Sequence, residues 1–373
     1  MSDTVSVAMA VYEGATHLSA QLVSLAAQTR LPDELIVADD GSLDDGLAIV
    51  ERFAADAPFP VRIVRHAANI GVLENFHSAF AAARGSIILY CDQDDVWRPD
   101  KIATILARFT PATMLVMHQS ALVDAALVPL GRTAPGNARY GRFAWPADST
   151  ALHGFGHQMG FRRAVLDQMR RLRPIADDHD PGGLAHDLDR FIPFCSALLG
   201  EVVLLRDPLV QFRRHAAATS PAGQAVEVAR DRHARIAYLV TRDADRSALH
   251  ASIVIAAAAR GALLRRSGVL RLMHAYRGAA DAAAARAAIL SASNTRDRLR
   301  ARVTALSSVI RLGAFTNPRR LRAIGLACVA GVSARRPLPP PPTSRPADAP
   351  PHPRPAVRSR SPSGRDWHPR WRA

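Results

Sequence analysis

Short β-branched runs alternate with amphipathic helical stretches over about the first 100 residues of this 373-residue chain. This alternation is typical of βαβ units, in which a helix connects neighbouring parallel strands. Polar side chains, many of them carboxylates, follow the predicted strands, and open α/β sheets bind ligands at the carboxyl ends of their strands. We therefore expect a ligand site at that edge. The predicted elements are strands at Val5–Val11, Leu35–Ala38, Val61–Arg65 and Ile87–Cys91, and helices at Leu18–Gln28, Asp44–Ala55 and Val72–Ala83.

The rest of the chain divides into three parts by pattern. Residues up to 225 complete the first domain, with strands predicted at Met114–Met117 and Val202–Leu205, a glycine-rich stretch "HGFGHQMGFRRAVL" and a helix containing "HDLDRFIPFCSALLG". Residues 226–334 are rich in alanine and arginine and helical in pattern. Residues 335–373 hold 12 of the 26 prolines, bury too little apolar surface to offset the entropy of ordering, and are predicted to be disordered.

The formal charge of +15 is concentrated in the C-terminal parts of the chain. Residues 1–225 carry 20 basic and 25 acidic side chains, whereas residues 226–334 carry 19 and 6. A nucleic-acid protein or an enzyme that rests on anionic lipid would show such a division. No helix-turn-helix, zinc or aromatic-stacking pattern supports nucleic-acid binding. No charge-free apolar stretch reaches 18 residues, so peripheral membrane contact is the remaining expectation.

The cysteines and the N-terminus indicate a reducing compartment. Cys91, Cys195 and Cys328 have neither metal-ligand spacing nor the number for a disulfide framework. The first residues lack a basic segment followed by an apolar run, and no secretory signal is predicted. We expect a cytoplasmic protein, with the inner face of the plasma membrane as the surface that its basic part would contact.

The segment "ADDGS" places Asp39 and Asp40 at the end of the second predicted strand, before Gly41. A carboxylate there can accept hydrogen bonds from a nucleobase imide or a ribose hydroxyl. The alternative is a helix N-cap formed by Ser42 and Asp44, which leaves the adjacent aspartates unexplained.

The segment "DQDD" places Asp92, Asp94 and Asp95 directly after the fourth predicted strand. Like charges so close repel unless a cation lies among them. Oxygen ligands of this kind suit Mg²⁺ or Mn²⁺, which complete their coordination with water and phosphate oxygens. An exposed acidic turn is the alternative.

The ordered motifs "AVYEG", "ADDGS", "NIGVLENF", "DQDD", "MGFRR", "HD" and "FRRH" resemble the family 2 glycosyltransferases over roughly residues 4–220. The resemblance implies a GT-A fold, a Rossmann-like mixed α/β sheet flanked by helices, here with a helical C-terminal extension. It also implies transfer of a sugar from a nucleotide donor. The "DQDD" motif is most similar to that of bacterial enzymes described as rhamnosyltransferases of surface polysaccharides.

The resemblance assigns the donor side of the site by position. A base pocket, ribose contacts and a wall facing the donor sugar are implied, although Tyr12 could equally belong to the core and "NIGV" could be a turn before a helix. The implied nucleotide- and donor-binding residues are Ala10, Tyr12, Glu13, Asp40, Asn69, Gly71, Asn75, Asp92 and Gly156.

The resemblance also assigns the metal and the base. Asp94 would ligate Mn²⁺ or Mg²⁺, with His215 completing the ligand set unless it is an exposed loop histidine. Asp187 would accept the proton of the acceptor hydroxyl in an inverting transfer, and an ordinary helix N-cap is the alternative. Asp95 is either a group behind the metal ligands or a helix cap.

A nucleotidyltransferase acting on a sugar phosphate is the competing function. Such an enzyme is expected to carry a glycine-rich, basic phosphate loop after its first strand, and "AVYEGATHL" is neither. The sequence thus favours a metal-dependent glycosyltransferase with a nucleotide-sugar donor and a glycan or lipid-linked acceptor of the cell envelope.

Overall fold

The computed structural model describes residues 3–134, 140–143, 154–181, 183–215 and 249–262. Helices pack on both faces of one mixed sheet. The strands are β1 Val5–Val11, β2 Glu34–Asp39, β3 Val61–Arg65, β4 Ile87–Cys91, β5 Val96–Trp97, β6 Thr113–Val123, β7 Pro129–Ala134, β8 Gly141–Phe143, β9 Met159–Arg162 and β10 Glu201–Arg213. The helices are α1 Ala15–Ala26, α2 Gly46–Asp56, α3 Val72–Ala82, α4 Lys101–Leu106, α5 Ala164–His179, α6 Leu188–Leu199 and α7 over residues 249–259.

The sheet has the strand order β3-β2-β1-β4-β9-β6-β10-β5, with β7 paired to β6 and β8 to β10. The first four strands in this order are parallel, with Val11 opposite Asp39 and Met9 opposite Cys91. Strand β9 runs antiparallel to both β4 and β6, and β10 runs parallel to β6. This mixed α/β architecture confirms the predicted fold class and aligns the carboxyl ends of β1, β2 and β4 at one edge.

Period-two alternation along the strands separates two apolar layers. Val7 and Met9 of β1 pack with α1, α2 and α4, whereas Ala8 packs with α3, α5 and α6. Helix α7 belongs to the second layer, since Ile253 and Val254 are fully buried there. The sheet is therefore covered on both faces, and its edges are where polar groups can meet a ligand.

The predicted strands of the first 100 residues are confirmed, and β1, β3 and β4 have the predicted bounds. Helix α2 begins at Gly46 rather than at Asp44, because the Asp44 carboxylate accepts hydrogen bonds from the N–H groups of Ala15 and Gly46. Asp44 thus joins the first turns of α1 and α2. Ser42 accepts a hydrogen bond from the Glu13 N–H (3.1 Å) and does not cap α2.

The second half of the domain differs more from the prediction. Strand β6 is longer than predicted at its carboxyl end, and β10 continues eight residues past Leu205 because it pairs along β6. The glycine-rich stretch contains β9 and the start of α5, neither of which periodicity predicted. Residues 249–259 are helical as predicted. The rest of the predicted helical part and the predicted disordered tail lie outside the described residues.

Within the described ranges, no helix is long and apolar enough to cross a bilayer.

Candidate functional site

Asp94 and His215 meet at the edge where β4 and β10 end. His215 Nε2 lies 2.8 Å from Asp94 Oδ2, and the two side chains keep 13% and 20% exposure. The extension of β10 brings His215 to this place, 121 residues along the chain from Asp94. The His17 ring of α1 lies against that of His215, with 4.7 Å between centroids.

This pair has the chemistry of a divalent-cation site. A carboxylate oxygen and an imidazole nitrogen point at one another, and both suit Mn²⁺ or Mg²⁺. Partial exposure leaves room for further oxygen ligands from water or phosphate. Burial, with the charges of Arg213 and His215, lowers the pKa of His17, so this ring favours its neutral form beside the pair. The residues fit the cation that the sequence predicted, with His17 as a neighbour that sequence reasoning missed.

A second cluster lies deeper, behind Asp94. Asp92, Asp95 and His157 bring three ligand-type atoms within 4.8 Å of one another. His157 Nδ1 lies 3.1 Å from Asp92 Oδ2 and 3.3 Å from Asp95 Oδ2. Burial would lower the pKa of His157, but Asp95 and Asp92 together outweigh that effect and raise it. Burial raises the pKa of Asp95, which is fully enclosed.

Asp40 is placed at the end of β2 with 1% exposure. Its carboxylate accepts hydrogen bonds from the N–H groups of Ile70 (2.7 Å) and Gly71 (3.0 Å). Asn69 Oδ1 accepts from the same Gly71 N–H at 3.0 Å, and Gly71 has a φ of +91°, which favours glycine. Asp40 therefore shapes the segment before α3, and its contact with a nucleobase stays a prediction.

Asn75 of α3 lies between the carboxyl ends of β1 and β2. Its amide nitrogen donates to the carbonyl oxygens of Val11 (3.3 Å) and Ala38 (2.9 Å). Its Oδ1, like Asp39 Oδ1, is buried without a hydrogen-bond partner. The described residues include further buried polar atoms of this kind, on Asp95, His118 and Ser196 among others, so these two acceptors do not by themselves indicate a ligand.

The loop after β1 lies at the same carboxyl ends of β1 and β2. Tyr12 is 46% exposed, and its backbone N–H and carbonyl both bond to the Gln93 amide at 2.9 Å. Glu13 has a φ of +48°, and its carboxylate accepts from the Leu43 N–H at 2.8 Å. Ala10 lies opposite Ala38 in the sheet and is half-buried. Tyr12 is thus not a core residue.

Asp187 occupies the N-cap position of α6, but its side chain makes no capping hydrogen bond. Its carboxylate pairs with Arg190 Nε at 3.1 Å and is 34% exposed. The helix-cap alternative therefore does not account for this carboxylate. The negative charges of Asp92, Asp187 and Asp189 all raise the pKa of buried Tyr90, and the role of Asp187 as the base stays a prediction.

Asp189 is a site residue that sequence reasoning missed. Burial raises the pKa of its carboxyl to about 7, and the charges of Asp92 and Asp187 raise it further. The backbone N–H of Gly156 hydrogen-bonds to it. Gly156 itself packs so closely on Tyr90 that a Cβ would lie 2.3 Å from the ring. The sequence feature that could have indicated Asp189 is its position two residues after Asp187.

Residues 6–170 match the family model described as glycosyl transferase family 2. An uncharacterized glycosyltransferase of Nostoc, alr2836, is 28% identical over 224 residues, covering 57% of this chain and 65% of the relative. The putative glycosyltransferase EpsH of Bacillus subtilis is 28% identical over 220 residues, covering 57% and 61%. The chain thus spans less than two thirds of the length of these relatives.

Two solved structures show how far the similarity of shape extends. Residues 1–349 of TarS of S. aureus, in complex with UDP-GlcNAc, align with a TM-score of 0.48 at 17% identity, and the alignment covers 83% of this chain and 92% of that TarS chain. A mannosyltransferase of Pyrobaculum calidifontis, in complex with GDP-Man and Mn²⁺, aligns with a TM-score of 0.41 at 17% identity, covering 90% and 89%.

Proposed function

We propose that this chain, whose residues 6–170 belong to glycosyl transferase family 2, transfers a sugar from a nucleotide-sugar donor to an acceptor hydroxyl. The observation that carries the proposal is the Asp94–His215 pair beside Asp92, at the carboxyl edge of a parallel sheet. Open α/β sheets bind nucleotides at this edge.

Asp94 and His215 would hold Mn²⁺ or Mg²⁺. A divalent ion bound there would offset the negative charge of the departing diphosphate. Asp92, 32% exposed at the same strand end, would contact the donor ribose. The loop after β1, with Tyr12 and Glu13, would enclose the base.

Asp187 would accept the proton of the acceptor hydroxyl. Its carboxylate lies 3.1 Å from Arg190 Nε and is exposed enough for a hydroxyl to reach it. Attack on the face of the anomeric carbon opposite the leaving diphosphate gives inversion, and one base suffices for this reaction. The acceptor would be a glycan or a lipid-linked precursor, since the basic residues 226–334 would draw the chain to an anionic membrane face.

The test is Asp94→Ala, assayed for nucleoside diphosphate release from UDP-glucose, UDP-GlcNAc, GDP-mannose and dTDP-rhamnose with Mn²⁺. We expect the variant to lose turnover by about 10³-fold, since a metal site supplies several kcal/mol of the barrier reduction. The melting temperature should stay the same, because the Asp94 carboxylate is at the surface and has His215 as its partner.

Asp56→Ala is the matched control, an exposed carboxylate at the end of α2. Full turnover in Asp94→Ala would overturn the metal assignment. A wild-type chain that neither binds nor cleaves any of these donors would overturn the proposed function.

A further inference from the structure

His157 lies at the centre of a buried hydrogen-bond network that the proposed function leaves without a role. The side chain has 1% exposure and packs against the rings of Phe155 and Phe212, which also contact one another. It follows Gly156 in a 3-10 turn that leads into β9. A histidine enclosed in this way must have a partner for each ring nitrogen, and the two partners determine where its proton lies.

The amide of Gln158 determines the direction of the hydrogen bonds. Its Oε1 accepts from the Phe155 N–H (2.9 Å), and its Nε2 donates to the Ala134 carbonyl (2.6 Å). These two backbone groups permit one orientation of the amide. In that orientation Nε2 also donates to Ser120 Oγ at 2.8 Å.

Ser120 Oγ therefore accepts one hydrogen bond from Gln158 and has its own proton to donate. His157 Nε2 lies 2.8 Å from it and is the acceptor that the described residues offer to this hydroxyl. When Nε2 accepts, the neutral ring carries its proton on Nδ1, and the protonated ring carries one there as well. Nδ1 is thus a donor and has no lone pair for a metal.

The Nδ1–H group faces both carboxylates. It hydrogen-bonds Asp92 at 3.1 Å and forms an ion pair with Asp95 at 3.3 Å. Asp95 is anchored on its other oxygen by the Arg213 N–H at 3.1 Å. Among the described residues, His157 is the hydrogen-bond partner of the Asp92 carboxylate, whose remaining surface is open to the cleft.

Lys101 holds the turn that carries His157. Its Nζ is fully buried, donates to the His157 carbonyl at 2.8 Å and lies 3.5 Å from the centroid of the Trp97 ring. The backbone and Nε2 of His157 are therefore held by enclosed groups, whereas Nδ1 contacts both the enclosed Asp95 and the partly exposed Asp92.

We infer that His157 is a positioning residue: its Nδ1–H group joins Asp92 to the anchored Asp95 and orients the Asp92 carboxylate toward the donor. This inference rests on the proposed function, in which Asp92 contacts the donor. It assigns the divalent ion to Asp94 and His215, and it excludes His157 as a ligand.

The first test is nitrogen-15 NMR of the imidazole in the full chain, without donor. We expect a protonated Nδ1 coupled to its hydrogen. An unprotonated Nδ1 would overturn the inference while leaving the proposed function intact.

The second test compares His157→Asn with His157→Phe. The asparagine keeps an N–H donor near the position of Nδ1, whereas phenylalanine has none. We expect His157→Phe to raise the KM of the best donor at least 10-fold and His157→Asn to restore most of the loss. Mn²⁺ binding in the presence of UDP or GDP, measured by electron paramagnetic resonance, should change less than 2-fold in both.

A double variant separates positioning from folding. If His157 acts through Asp92, adding His157→Phe to Asp92→Asn should cost little more than Asp92→Asn alone. Additive losses would overturn the inference, as would loss of Mn²⁺ binding in His157→Phe with retention in Asp94→Ala. Absence of turnover and nucleotide binding in the wild-type chain would overturn both the proposed function and this inference.

Discussion

Buried ionisable side chains collect behind the end of β4. Asp95, Lys101 and His157 have at most 1% exposure, and burial lowers the pKa of Lys101 to about 7. A charge in the interior is costly unless other charges and hydrogen bonds compensate it. These groups compensate one another, and they lie directly behind the surface carboxylates Asp92 and Asp94. Such concentration of perturbed groups beside a cleft is typical of a functional site.

Asp187→Asn, which replaces one carboxylate oxygen by an amide nitrogen, tests whether Asp187 is the base. The amide has nearly the same shape as the carboxylate but cannot accept a proton, so kcat should fall by about 10²- to 10⁴-fold. Donor affinity should change less than about 2-fold, because the role proposed for Asp187 is to accept a proton from the acceptor and not to bind the donor. Turnover and calorimetric titration with the same donor measure the two quantities. Asp178→Asn, at an exposed position in α5, is the matched control. Equal losses of binding and turnover would contradict the assignment.

Asp189→Asn tests whether the raised pKa of the Asp189 carboxyl lowers the stability of the fold at neutral and higher pH. Because the folded chain holds this proton more tightly than the unfolded chain, the unfavourable contribution of Asp189 grows as pH rises from about 4 to about 7. The neutral amide should therefore raise the free energy of unfolding by about 1–2 kcal/mol at pH 8, allowing for partial exposure, and by little at pH 4. Thermal melts at the two pH values measure the difference. An equal increase in the free energy of unfolding at pH 4 and pH 8 would exclude titration of Asp189 as its cause.

The sequence predicted the carboxylates at the strand ends, the buried Asp40 and Asp95 among them, and missed the buried His157 and Ser120. Asp92 and Asp94 follow an apolar strand, which is a local signal, and His215 was assigned by resemblance. The roles of Ser120 and His157 depend on the pairing of β6 with β9. Hydrophobic periodicity in the sequence does not predict which strands pair. Single-sequence reasoning therefore finds the ligand edge more readily than the groups behind it.

At the scale of elements, the parallel strands were predictable and the antiparallel insertion was not. Each of the first three strands is bounded by polar residues and followed by a helix with a regular apolar stripe. Strand β9 has four residues, and α5 carries Pro174 and several arginines that dilute its apolar pattern. Both elements are defined by long-range packing against β4 and α6. Their prediction needs tertiary information.

Gly156→Ala tests the turn that leads into β9. The added Cβ would lie 2.3 Å from the Tyr90 ring, which is confined by Phe76 with 4.0 Å between ring centroids. We expect a loss of about 1–3 kcal/mol in the free energy of unfolding. Turnover at a temperature where the variant is folded should fall at least about 10-fold, because the turn carries His157 and the N–H that bonds to Asp189.

Gly154→Ala is the matched control two residues earlier. Its Cβ would meet the terminal methyl group of Met117, which can rotate away, so the cost should be smaller. Denaturant melts of the two variants compare the costs directly. A larger loss in Gly154→Ala would contradict the packing argument.

At the scale of the whole molecule, charge and architecture are divided along the chain. Residues 1–225, with a small acidic excess, contain the sheet and every residue assigned to the site. The described part of the basic region, α7, buries Ile253 and Val254 in the same apolar layer as α5 and α6. Part of that region therefore packs in one apolar layer with α5 and α6.

Removal of residues 335–373 tests whether the proline-rich tail contributes to the reaction. These residues carry nine arginines and two acidic side chains, and their composition predicts no buried core. Because every assigned contact lies before residue 216, kcat and donor KM of the truncated chain should stay within about 2-fold of the full chain. The affinity of both chains for vesicles with anionic lipid should fall as salt rises. The truncated chain should bind these vesicles more weakly than the full chain, since each basic residue near a surface contributes about 1 kcal/mol. Loss of turnover on a soluble acceptor would show that the tail takes part in folding or catalysis.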